Sequence, residues 1–130
     1  MASELRVDTL KDASGANSIG LSYVANGSAK AWINLNGTGT ISTNDSFNIS
    51  STNDDGTGDY TSTYTSAMSN SNYTSMGAND TITQDSNRPA VTVPESQTTT
   101  TLGLRNTGCF NNNTYYDIDP TMALVHGDLA

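Results

Sequence analysis

Across residues 28–64 apolar and polar positions alternate with a period of two. Ala31, Ile33 and Leu35 alternate with Trp32 and Asn34, Phe47 and Ile49 with Ser46 and Asn48, and Tyr60, Ser62 and Tyr64 with threonines. That period marks strands with one buried face. Asn36-Gly37, Thr38-Gly39 and the run 53–59, which holds Gly56 and Gly58, stand between them. Glycine beside Asn or Asp is what a tight reversal uses. The pattern predicts a meander of hairpins.

Further along, residues 72–78, 90–93, 97–104, 115–118 and 122–126 read as short strands. A polar connection covers 79–89, and a loop around Cys109 and Phe110 covers 106–113. No stretch keeps a helical period over a useful length. About seven to nine short strands at this spacing predict an all-β chain, an antiparallel β-sandwich of jelly-roll type over residues 28–130. Threonine on the outward faces supplies strand propensity without exposing hydrocarbon.

Residues 1–27 differ. Leu5, Val7 and Thr9 alternate with Glu4, Arg6 and Asp8 in one short amphipathic strand, residues 12–17 make a turn, and Ile19, Leu21, Tyr23 and Val24 form a second small apolar group. Such sparse apolar positions cannot build their own core. They predict an extended docking arm, ordered by contact with other copies or a larger scaffold through Leu5, Val7, Thr9, Leu10 and Ile19; the alternative is a floppy tail.

Composition adds a demand for partners. Roughly two residues in five are Ser, Thr or Asn, and Leu, Ile, Val and Phe approach the threshold of about 20% below which chains stay disordered. A lone copy is therefore expected to be poorly filled. Strand periodicity and six tyrosines favour an ordered oligomer over disorder, with Trp32, Ile33, Leu35, Phe47 and Ile49 as the core shared between copies. A net charge of -8 with only five basic residues argues against nucleic acid and anionic membrane as partners. The single Cys109 excludes an intrachain disulfide and suggests assembly in a reducing cytoplasm, with the thiol expected to be inert. No apolar run approaches the roughly 20 residues of a membrane span, and no signal-peptide core is seen, so release by lysis is the expected way out of a cell.

Candidate chemistry is sparse. Asp54, Asp55 and Asp59 invite a calcium reading, but the spacing is not that of an EF-hand loop and a hairpin turn accounts for them. His126 has no partner at a catalytic or metal spacing. Pairs such as Asp54 with Asp59, or Asp117 with Asp119, have the chemistry for glycoside hydrolysis, yet so short a chain builds no long groove. No catalytic residue, metal or cofactor is expected. Trp32 suits either a sugar platform or packing between subunits, and the second is favoured. Asn111, Asn112 and Asn113 with Tyr115 and Tyr116 make the mixture that adaptable recognition of polar surfaces uses, so Asn111, Asn112, Tyr115 and Tyr116 are the receptor-contact candidates. An ordinary turn with a buried tyrosine is the competing reading.

Several blocks carry a resemblance. Residues 4–15, beginning Glu4-Leu5-Arg6-Val7-Asp8-Thr9-Leu10, resemble the N-terminal arms of tail-fibre and related virion proteins of marine and cyanobacterial phages. Residues 28–40, 45–51 and 55–61 resemble the second block of the same proteins, and Ala67-Met68, Asn72-Tyr73 and residues 121–127 fit its continuation. Ser69 stands where that family's pattern has proline. The resemblance implies a non-enzymatic virion protein: a homotrimeric β-rich fibre, attached to the tail by its arm, presenting a knob for host attachment, with other virion proteins and a host surface glycan as partners. A capsid decoration or head-fibre protein, and a small carbohydrate-binding module, are the alternatives.

Overall fold

The structure, a computed structural model, describes residues 6–80, 90–108 and 114–130. The arm holds a small hairpin, β1 (Thr9–Lys11) with β2 (Ser18–Gly20), and one helical stretch, α1 (Leu21–Gly27). Eight strands follow: β3 (Ala31–Asn36), β4 (Ser42–Phe47), β5 (Ile49–Gly56), β6 (Asp59–Tyr64), β7 (Thr74–Asn79), β8 (Ala90–Glu95), β9 (Thr101–Gly108) and β10 (Thr121–His126). They form two four-stranded antiparallel sheets, ordered β4-β3-β10-β7 and β5-β6-β9-β8. The two sheets pack as a β-sandwich, as the period-two pattern predicts.

The strand order departs from the expected jelly roll. A jelly roll pairs its strands across one long folded hairpin, first with last and inward from there. Here only the first and last, β3 and β10, pair in that way, while β3–β4, β5–β6 and β8–β9 are hairpins within one sheet. Tight turn chemistry is the reason. Gly39 at φ 64° serves the β3–β4 reversal, and Gly56 and Gly58 at φ 140° and 64° serve β5–β6, so neighbouring strands pair locally.

Three boundaries also move. Residues 46–49 do not form one strand, because Asn48 lies at φ 58° and the chain passes there from the first sheet to the second. Phe47 ends β4 on the outer face at 52% exposure, whereas Ile49 begins β5 and packs on the core. In the C-terminal part, the strand expected over 97–104 begins at Thr101 and runs to Gly108, and the strand expected over 115–118 reduces to a single bridge from Tyr115 to Thr107.

The core belongs to the single chain. Inward positions alternate along β3 (Ala31, Ile33, Leu35), β6 (Tyr60, Ser62, Tyr64), β9 (Leu102, Leu104, Asn106) and β10 (Thr121, Ala123, Val125). Ile33 and Leu35, expected in a core shared between copies, lie inside this one at 3% and 0% exposure. A side chain already out of water within its own chain gains no further burial from association. Long residues compensate for few aliphatic ones: Tyr60, Tyr64, Tyr73 and Met68 are all buried, and Tyr64 meets Tyr73 edge to face at 6.0 Å.

Polar residues are buried as a connected set. Asn106, wholly buried on β9, accepts from Thr92 Oγ1 on β8 at 2.7 Å and donates from Nδ2 to Thr121 Oγ1 on β10 at 2.7 Å. Thr121 Oγ1 donates in turn to the Ile118 carbonyl at 3.1 Å. The chain of bonds ties the second sheet to the first and satisfies groups whose burial unpaired is costly.

The arm is less covered. Thr9, Lys11 and the Leu10–Ile19 pair are exposed, α1 buries no residue, and Tyr23 is 75% exposed. The helical stretch was not expected from the sequence. It is held locally, by the Ser28 N–H donating to Val24 O at 3.1 Å and by the Lys30 ammonium on the Ala25 carbonyl. The predicted turn at 12–17 is present, with Gly15 at φ 71° and Asn17 Nδ2 donating to Asp12 Oδ2 at 2.7 Å. Hydrogen bonds from Ser14 and Asn17 hold the Asp12 carboxyl below the usual range.

Candidate functional site

The two outer faces of the sandwich are chemically unlike. On the first sheet, register places Phe47 opposite Trp32, Trp32 opposite Leu124, and Leu124 opposite Met76. These four residues form one row across all four strands, and direct neighbours in such a row lie within contact distance. Phe47, Met76 and Leu124 are 52%, 68% and 39% exposed. The next row, Asp45, Asn34, Met122 and Ala78, is mixed. Between the rows lies an open groove of about 360 Å³, lined by Trp32, Asn34, Asp45, Met76, Met122 and Leu124 among others.

One end of this groove is polar and acidic. Asn44 Nδ2 donates to Asn34 Oδ1 at 3.1 Å and lies 3.4 Å from Asp119 Oδ1, so Asp45 and Asp119 flank the asparagine pair. Exposed apolar rows of this extent, rimmed by polar groups, are the usual mark of an interaction surface.

The outer face of the second sheet carries Thr61, Thr63, Thr101 and Thr107, the exposed Val91 and Val93 of β8, and one charged cluster. There Arg105 Nη2 binds Asp59 Oδ2 at 2.8 Å and Glu95 Oε1 at 2.7 Å, and the Arg105 guanidinium stands 5.2 Å from the Tyr115 ring centre. Asp59 and then Glu95 raise the already high Arg105 pKa. On this face β6 and β9 follow the expected use of threonine, whereas β8 exposes valine; the first sheet's face departs from it further.

The predicted residues thus separate. Trp32 and Phe47 come together on the exposed row, Ile33 and Leu35 go to the chain's own core, and Ile49 packs at its edge. Of the arm residues, Thr9, Leu10 and Ile19 meet in one hairpin, and Val7 precedes it half-buried. Leu5 lies outside the described residues. Tyr115 reaches the Arg105 face, whereas Tyr116 turns its backbone to Asn106, donating N–H to O at 3.2 Å. Asn111, Asn112 and Cys109 lie outside the described residues.

The acidic loop is engaged by its own chain. Asp54 Oδ1 accepts from the Gly56 N–H at 3.1 Å, Asp55 Oδ2 from Thr61 Oγ1 at 2.6 Å, and Asp59 from Arg105. Asp117 is likewise occupied: its Oδ1 accepts from the Gly58 N–H at 2.7 Å and faces the Tyr60 hydroxyl at 3.0 Å. Among the described residues no group of three or more His, Cys, Asp or Glu side chains is arranged to hold a metal ion.

Met76, Met122 and Leu124 are the site residues missed in the sequence. The signal was present in residues 121–126, where both parities are apolar: Ala123 and Val125 on one, Met122 and Leu124 on the other. A strand apolar on both sides is covered on both sides in parallel sheets; here its second side lies on the exposed outer face of the first sheet. No protein-family model, curated protein or solved structure matches the chain.

Proposed function

We propose that the protein is a non-enzymatic structural component of a phage particle: a short homotrimeric fibre, attached through its N-terminal arm and holding the sandwich outward toward the host surface. The observation that carries this reading is the inequality of the two faces. One carries threonines, a charged cluster around Arg105 and the small apolar side chains of Val91 and Val93, and the other is an apolar row of the larger Phe47, Trp32, Leu124 and Met76 suited to a protein partner. A chain with both is suited to assembly through one face and display of the other. The displayed face carries Tyr115 stacked on Arg105, a planar aromatic beside hydrogen-bonding groups, as recognition of polar surfaces uses. The sequence resemblance to phage fibres supplies the particle; the fold supplies the surfaces.

Light scattering of the purified full chain tests the assembly: three times the chain mass is expected, and a monomer at all concentrations overturns the reading. A glycan array tests display. Binding by the oligomer that is lost in Tyr115→Ala is expected, three weak sites acting together through avidity; binding unaffected by that change removes Tyr115 from the recognition surface.

A further inference from the structure

We infer that the apolar face of the first sheet is covered by the arm of a neighbouring copy, so that each chain clasps the next. The inference rests on the homo-oligomeric part of the reading above and gives the hairpin's apolar pair a partner inside the assembly. Two unpartnered surfaces meet its requirements. The groove beside Trp32, Met76 and Leu124 is lined by sandwich residues, with no arm residue among those that line it. A shallow hollow of about 320 Å³ beside Leu10 and Ile19 is lined by arm residues alone. Leu10 and Ile19 face each other across β1 and β2 at 41% and 45% exposure. A two-stranded hairpin is marginal in water unless its apolar side is covered.

Charge selects the occupant. Residues 1–30 hold three acids and three bases, whereas residues 31–130 hold ten acids and two bases. The whole net charge therefore sits on the sandwich. Two sandwiches packed face to face through the apolar row would bring Asp45 and Asp119 of both copies to one interface. The neutral arm brings Lys11, beside Leu10 and Ile19 in the hollow, to the acidic rim of the groove instead, with apolar meeting apolar and cation meeting carboxylate; Asp12, which lines the same hollow, is engaged within the arm by Ser14 Oγ at 2.9 Å and Asn17 Nδ2 at 2.7 Å. Each copy has one arm and one face, so the contact is head to tail and closes into a ring when the rotation permits.

The test uses the full chain. Unlabelled and ¹⁵N-labelled copies are mixed, reassembled and treated with a carbodiimide, which joins a lysine amine directly to a nearby carboxylate. Hybrid cross-links between Lys11 and Asp45 or Asp119 are expected. In parallel, Ile19→Asp and Leu124→Asp are each expected to raise the concentration at which the oligomer dissociates by about tenfold or more, with the β-sheet circular dichroism signal retained. Lys11 cross-links found only within one copy would mean that the arm folds back on its own sheet, and overturn the exchange. An oligomer lacking arm-to-face cross-links, or one whose dissociation neither variant shifts, overturns the exchange while leaving the homo-oligomeric reading intact. A monomer at every concentration overturns both.

Discussion

Asn48 and Ser66 are bonded in both directions: the Ser66 N–H donates to Asn48 Oδ1 at 2.7 Å, and Asn48 Nδ2 donates to the Ser66 carbonyl at 3.0 Å. The same Nδ2 reaches the Lys30 carbonyl at 3.0 Å, and the Asn48 carbonyl accepts from the Thr65 N–H at 3.1 Å. One side chain thus joins the start of β3, the end of β6 and the crossing from β4 to β5. Its left-handed backbone, φ 58°, is one that asparagine tolerates better than most residues.

Asn48→Ala is therefore expected to lower stability by about 2–4 kcal/mol, losing the side-chain bonds and adding backbone strain. Asn48→Gly relieves the strain and should be the milder change. Urea unfolding of the two variants separates these contributions; equal losses would show that the backbone conformation contributes little.

Two buried tyrosines should respond oppositely to loss of the hydroxyl. Tyr60 stands 3.0 Å from Asp117 Oδ1 and 3.1 Å from the Gly37 carbonyl, so Tyr60→Phe is expected to cost about 1–3 kcal/mol. The buried Tyr64 hydroxyl makes no hydrogen bond of good geometry and interacts only with the Tyr73 hydroxyl beside it. Tyr64→Phe should be neutral or stabilising by up to about 1 kcal/mol, because a poorly satisfied buried polar group is removed. Thermal melts of both variants decide it.

Gly37 is fixed by the same tyrosine. A Cβ there would overlap the Tyr60 hydroxyl and lie 2.8 Å from its Cζ and 2.9 Å from the Ile118 carbonyl. Gly37→Ala is expected to destabilise by about 1–3 kcal/mol through overpacking. Combining it with Tyr60→Phe, which removes the nearest atom, should cost less than the sum of the two single changes, as a double-mutant cycle would show.

Alkaline pH should unfold the domain. Burial first, and then the Asp117 carboxylate, push the Tyr60 pKa above its ordinary value of 10.0. Burial likewise raises Tyr64 and, against smaller opposing hydrogen bonds, Tyr73. The folded state therefore keeps protons that the unfolded chain releases from about pH 10 upward. Stability is fully present below that pH and falls as pH rises toward the folded-state values. Tyrosinate absorbance from these rings and loss of circular dichroism should appear together; ionisation well ahead of unfolding would show the rings to be accessible.

The sandwich was legible because alternation is local: Ala31, Ile33 and Leu35 announce their buried face within six residues. Its strand order was not, since pairing of β3 with β10 depends on contacts such as Trp32 with Leu124 that no short window contains. The break at Asn48 was hidden for a different reason. Phe47 and Ile49 keep perfect period two, and only a single positive φ turns one outward and the other inward. Glycine spacing marked the reversal between β5 and β6, but the turn expected over 53–59 narrows to residues 57–58, because β5 runs to Gly56 and β6 begins at Asp59; the apolar second face of β10 needed the sheet before its meaning was visible.

The pairing of β3 with β10 also governs how the chain comes to be. The central seam of the first sheet joins the first strand of the sandwich to the last one made, so on the ribosome β3 and its hairpin partner β4 wait with an open edge until β10 emerges. Pairings so distant along the chain form slowly. The nascent protein therefore passes through a stage in which β5, β6, β8 and β9 can already join as one sheet while the other lacks its middle. During that interval the edge of β3 that β10 will occupy offers unpaired backbone groups to any strand that meets it.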